Sequence, residues 1–148
     1  MISRILVPTD GSKTAQRAAV YAVDLAKRLK ADVIILNVMD QRSLIAQTAP
    51  ESKRARQKDV PIDDYLKEAA LEYAGAVKKL CDKNGVTATI SIKKGHPVSV
   101  IAKEAKRLKV NLIAMGSHGR SALSATVLGS VSYGVIHHDK STPVLIVR

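Results

Sequence analysis

Val110-Asn111-Leu112-Ile113-Ala114-Met115-Gly116-Ser117-His118-Gly119-Arg120 reads as an apolar strand that runs directly into a glycine-punctuated turn. Two residues separate Gly116 from Gly119, and nine more lead to Gly129-Ser130-Val131-Ser132, which opens a segment with a helical reading from Val131 to His138. Glycine tolerates positive φ and close approach of backbone to a ligand. The spacing therefore fits a nest of backbone N–H groups followed by an open helix start, and both favour an anion. Ser130 and Ser132 add hydroxyls at the same point. A plain strand-to-helix turn fits the spacing equally well, because short glycine patterns also arise by chance.

Outward from this stretch, strands and helices alternate. Ile2 to Val7 is a buried-strand run that stops at Pro8-Thr9-Asp10-Gly11-Ser12, where Ser12 suits a helix N-cap. Ala15, Ala18, Ala19, Ala22, Ala26 and Leu29 then recur at helical spacing. Val33 to Val38 is apolar without alternation, which predicts a strand covered on both faces, as in a parallel sheet. Met39 to Asp59 is polar and basic with no sustained period and reads as a long loop. Val60-Pro61 opens a second helix, with Tyr65, Leu66, Ala69, Tyr73, Ala76, Val77 and Leu80 as its expected buried stripe and Asn84-Gly85 as its cap. Val86 to Lys93 alternates as an edge strand would, and Pro97 begins a third helix marked by Val98, Ile101, Ala102, Ala105 and Leu108. After the fourth strand and fourth helix, Pro143 to Arg148 closes the chain as a fifth strand.

Five strands alternating with four helices imply an α/β, doubly wound, mainly parallel sheet. Ligands in such sheets bind beyond the carboxyl ends of the strands, where the strand order reverses. With the order 3-2-1-4-5, strands one and four flank that point, and Asp10 and Gly116 face one crevice. This placement favours the phosphate reading of the glycines over the plain turn.

The composition narrows the function. At 148 residues, with 46% hydrophobic and 25% charged residues, the chain fits one soluble domain. No apolar run is long enough to span a membrane, and the start of the chain lacks a signal-peptide layout, so a cytoplasmic protein is expected. The single cysteine, Cys81, sits among helical apolar positions and reads as packing. A net charge of +11 raises the question of a nucleic-acid partner. Against it stand the absence of Phe and Trp, the four Tyr, and cations that look spread along the chain, so nucleic acid is not the expected partner.

With these residues in place, the chain resembles the universal stress protein family over essentially its whole length. Ile5 to Ser12 is similar to that family's first strand and nucleotide turn. Met115 to Ser132 is similar to its ATP-binding pattern of glycine, two residues, glycine, nine residues, glycine and Ser or Thr. Ser141 to Val147 resembles its last strand. The resemblance implies a single Rossmann-like domain over residues 1–148 that binds ATP, with magnesium or manganese carried in by the phosphates. It implies Pro8, Thr9, Asp10 and Val38 at the adenosine end and Met115 against the nucleoside. Gly116, His118, Gly119, Arg120, Gly129, Ser130, Val131 and Ser132 would hold ribose and phosphates. It also implies a homodimer through residues 143–147, in keeping with an apolar strand at a sheet edge.

Enzymatic readings find less support in the residues. There is no GxxxxGK[ST] loop, no GxGxxG after the first strand and no clear general base, since His118 lacks a visible orienting partner. A nucleotide-dependent regulatory module is the first expectation. A slow ATPase at the same site and a basic nucleic-acid or anion binder are the alternatives.

Overall fold

The computed structural model describes residues 1–40, 62–119 and 128–148. Its strands are β1 (Arg4–Pro8), β2 (Asp32–Met39), β3 (Ala88–Lys94), β4 (Leu112–Gly116) and β5 (Val144–Val147). Its helices are α1 (Lys13–Leu29), α2 (Ile62–Lys83), α3 (Pro97–Arg107) and α4 (Ser130–His138). The strands form one parallel sheet in the order β3-β2-β1-β4-β5. This is the α/β doubly wound architecture that the alternation implied. Of the loop expected from Met39 to Asp59, Met39 instead ends β2, paired with Lys94, while residues 41–59, the helix start at Val60-Pro61 and Arg120 lie outside the described residues.

The continuous apolar runs exist because each central strand is covered on both faces. Ile5, Val7, Val33, Ile35, Leu112 and Ala114 point to one side and pack under α1 and α2. Their neighbours Leu6, Ile34, Leu36, Ile113 and Met115 point to the other side and pack under α3 and α4. Ile5, Leu6, Ile35, Leu36 and Ile113 are fully buried. Each contributes about 1.5–3 kcal/mol through removal of apolar surface from water.

The alanine stripe of α1 is as expected, with Ala15, Ala18, Ala19, Ala22 and Ala26 buried. The stripe of α2 differs from the expected one. Tyr65 and Ala76 are exposed and Ala70 and Ala74 are buried, beside Val77 and Cys81, which are buried as expected. The helix is rotated so that small side chains meet the sheet, which lets it sit close to β2 and β3 while its longer residues reach outward. Burial raises the Cys81 thiol above its ordinary pKa, consistent with a packing role.

Candidate functional site

β1 and β4 lie side by side at the reversal point, with Ile5 paired to Leu112 and Leu6 to Ile113. The turns that follow these strands make the crevice. After β1, the Thr9 amide donates to the Leu36 carbonyl at 2.9 Å and the Thr9 carbonyl accepts from Asn37 Nδ2 at 2.8 Å. Both residues are buried, so the chain leaves the sheet in a fixed direction. Asp10 Oδ1 accepts from the Ser12 amide at 2.9 Å, and the Ser12 hydroxyl caps α1 by accepting from Ala15. Gly11 adopts a φ of +78°, and a Cβ there would come within 2.4 Å of the Tyr73 ring on α2. Glycine is required here twice over, by backbone conformation and by contact.

After β4, three consecutive carbonyls are turned into the protein. Gly116 O accepts from Ser132 Oγ at 2.7 Å, Ser117 O accepts from the Gly129 amide at 2.7 Å, and His118 O accepts from Thr14 Oγ1. In a planar trans peptide the N–H points opposite the C=O. The amides of His118 and Gly119 are therefore directed away from α4 and α1, and neither has a backbone partner among the described residues. Lone pairs that would repel an anion are turned inward and donors that would attract one are left outward.

The two glycines of this turn do not supply positive φ, contrary to expectation; among the described glycines only Gly11, Gly85 and Gly95 do. Close approach is the reason instead. A Cβ on Gly116 would lie 2.6 Å from Thr14 Oγ1 and 2.9 Å from the Ala15 nitrogen, so the first turn of α1 rests against the end of β4. A Cβ on Gly119 would lie 2.6 Å from Asp10 Oδ2.

Gly129 is the N-cap of α4, with extended backbone and no side-chain cap. The first helical bond inside α4 runs from the Tyr133 amide to the Gly129 carbonyl. The amides of Ser130, Val131 and Ser132 precede it and have no intrahelical partner, which leaves an open positive helix end facing the His118 loop. A Cβ on Gly129 would come within 2.8 Å of His118 Cα, so this glycine is what lets the helix start approach the loop.

The structure thus brings Thr9, Asp10, Gly116, His118, Gly119, Gly129, Ser130, Val131 and Ser132 together at the ends of β1 and β4. Pro8 and Met115 lie at the ends of the same strands and are buried, and Val38 is half-buried near the end of β2. The Ser132 hydroxyl, expected as a ligand donor, is directed to Gly116 O and is 2% exposed. The sequence did not single out Thr14, Asn37 or Ser117, and it pointed to Tyr73 only as part of the buried stripe of α2. Asn37 had a signal, as a polar residue inside an apolar strand. Ser117 gives His118 the orienting partner that the sequence did not show, with Oγ and Nδ1 2.9 Å apart.

A sequence model of the universal stress protein family matches residues 1–148. A universal stress protein of Methanocaldococcus jannaschii is 35% identical over 157 residues, covering 100% of this chain and 96% of its own. Its solved structure superposes with a TM-score of 0.78 at 32% identity, covering 99% of this chain and 96% of that one. A universal stress protein of Bacillus subtilis is 34% identical over 151 residues and is covered, like this chain, to 100%. A universal stress protein family member from Arabidopsis thaliana, solved with AMP bound, shares the fold at a TM-score of 0.67 and 20% identity, covering 98% of this chain and 90% of that one.

Proposed function

The chain belongs to the universal stress protein family, and from that premise we propose that it is a cytoplasmic, nucleotide-dependent regulatory module that binds ATP between the ends of β1 and β4. One observation carries this reading: the three inward-turned carbonyls of Gly116, Ser117 and His118 stand opposite the uncapped N-terminus of α4. A turn needed only to connect a strand to a helix has no reason to orient three successive carbonyls away from one concavity. The fold itself accommodates an adenine nucleotide, as the relative with AMP illustrates.

In this proposal His118, Gly119 and Arg120 and the α4 start through Gly129, Ser130, Val131 and Ser132 hold the phosphates, with Gly116 keeping the loop against α1. Pro8, Thr9, Val38 and Met115 border the adenosine, and Asp10 accepts from ribose hydroxyls or faces a magnesium or manganese ion on the phosphates. β5 is an edge strand whose Val144, Leu145 and Ile146 are half-buried, and we propose that it pairs with its copy in a homodimer.

The test is the absorbance spectrum of protein purified without added nucleotide, with extraction of any bound species, followed by calorimetry with ATP and magnesium. With no Trp in the chain, co-purified adenine would dominate the near-ultraviolet spectrum. An adenine-free spectrum together with no heat of binding would overturn the assignment. For the dimer, light scattering should give twice the mass of one chain, and a single-chain mass would end that part of the proposal.

A further inference from the structure

The cations that look scattered in the sequence are gathered by the fold. In the described residues before β3, ten Lys and Arg are accompanied by nine Asp and Glu. In the described residues from β3 onward, eight Lys and Arg are accompanied by only two acids, Glu104 and Asp139. Both acids are buried, at 5% and 4% exposure, while all eight cations are exposed. Glu104 is paired with the exposed Arg107, with Nε at 3.0 Å and Nη2 at 2.8 Å, and Asp139 accepts from Ser141 and Thr142. Glu104 therefore offsets Arg107, and the remaining cations face no exposed acid from β3 onward among the described residues.

The fold also puts several of these charges on one face. α3 and α4 cover the same side of the sheet through Ile101, Ala105 and Val135, and they touch where Gly134 meets Val98. Lys103, Lys106 and Arg107 lie on the side of α3 away from Ile101 and Ala105, Lys93 is close to Glu104, and Lys140 follows Asp139, which Lys106 approaches. Arg107, then Lys93 and Lys103, are close enough to hold the Glu104 carboxyl below its ordinary pKa. Lys94, on the opposite side of β3, is paired with Asp63 of α2. On the neighbouring helix, Tyr133 is 55% exposed and stacks on His137 with ring centroids 3.9 Å apart.

We propose that the outer face of α3 and α4 binds single-stranded nucleic acid, with Lys93, Lys103, Lys106 and Lys140 along the phosphates and the Tyr133–His137 pair as a platform for a base. A cationic surface alone would suit any polyanion. The exposed ring pair on the helix beside it favours a strand whose bases are free to stack. This surface is separate from the crevice at the ends of β1 and β4, and its test needs no nucleotide.

The experiment is fluorescence anisotropy of the full chain with a labelled single-stranded RNA about 16 nucleotides long. Neutralising about four phosphates predicts a roughly 50-fold loss of affinity between about 50 and 200 mM potassium chloride. The Lys103→Glu, Lys106→Glu pair should weaken binding at least about tenfold and flatten the salt slope by roughly 1.4. The same charge change on α2, Lys79→Glu with Lys83→Glu, should move affinity no more than about threefold. Tyr133→Ala should cost between about 5- and 150-fold with the slope unchanged. If the glutamate pair unfolds, Lys103→Gln with Lys106→Gln should still lower the slope. Equal losses from the α2 and α3 pairs, an unaffected Tyr133→Ala variant, or tighter binding to phosphatidylserine vesicles than to RNA would each overturn the proposal.

Discussion

A Cβ built on Gly119 would lie 2.6 Å from Oδ2 of Asp10, so the turn after β4 and the turn after β1 meet at the mouth of the crevice. Asp10 is tied to the Ser12 amide through its other oxygen. Gly119→Ala must therefore rotate the carboxylate away or move the loop. Either change disturbs the proposed nucleotide contacts more than it disturbs the core. ATP affinity should fall at least about tenfold, roughly 1.4 kcal/mol, with the unfolding midpoint nearly unchanged. Calorimetry on variants with matched thermal melts checks this, and an unaltered affinity would remove Gly119 from the site.

On the other side of the crevice, Gly11 combines a φ of +78° with a Tyr73 ring 2.4 Å from where a Cβ would sit. Gly11→Ala meets both obstacles, the left-handed backbone costing about 1–2 kcal/mol and overpacking about 1–3 kcal/mol. Only the second depends on Tyr73. In a cycle with Tyr73→Ala, urea unfolding should give a coupling of at least about 1 kcal/mol, because the ring's removal relieves the clash but not the backbone strain. Additive effects would mean that α2 yields and the contact is soft.

The fold was legible because its signals are local. Val33 to Val38 and Val110 to Met115 are apolar throughout, and only a strand covered on both faces makes that pattern useful. The α2 stripe was less legible because helical spacing alone cannot choose between two apolar arcs. Large Tyr and Leu residues suggested one arc, and close packing on β2 and β3 selected Ala70 and Ala74 instead. In the candidate site, the glycine spacing located the turn but not the packing that requires it, and the expected positive φ is absent. Gly116 and Gly119 are small to admit Thr14 and Asp10, which lie more than 100 residues away in the chain. No local pattern carries such a contact. The basic face was hidden for the same reason, since burial of Glu104 and Asp139 is a tertiary fact.

Those two buried acids also set the response to pH. The hydrogen bond from Arg107 holds the Glu104 carboxyl below its ordinary pKa, and those from Ser141 do the same for Asp139. A carboxyl whose folded-state pKa is depressed adds stability above its unfolded value, and that stability is lost as pH falls toward the folded one. The urea midpoint should therefore hold steady from about pH 8 to pH 5 and decline below about pH 4.5. Asp139→Asn should be less stable at neutral pH and show a shallower acid decline. An equally steep decline in that variant would place the acid sensitivity elsewhere.

Three helix ends close with the same backbone bond, from the residue just past the cap to a carbonyl five residues back: Ala31 to Ala26, Val86 to Cys81, and Val110 to Ala105, at 2.9, 2.9 and 3.1 Å. The residue before each donor is left-handed. At the end of α2 it is Gly85, with φ +69°, whereas α1 and α3 use Lys30 at +54° and Lys109 at +50°. A Cβ makes this conformation unfavourable, and glycine removes the penalty. Both lysines are exposed, so no packing is lost with them. A cation near a helix C-terminus is stabilising by only about 0.3–1 kcal/mol, which offsets part of the gain. Lys30→Gly and Lys109→Gly should each stabilise by about 0.5 kcal/mol, and together raise the thermal midpoint by about 2–4 °C. Gly85→Lys should move it the opposite way by about as much as one Lys→Gly change, since it adds the same Cβ strain and the same helix-end cation. A calorimetric scan of the three variants checks the sign, and a lowered midpoint for either Lys→Gly variant would show that its side chain contributes more than its backbone strain costs.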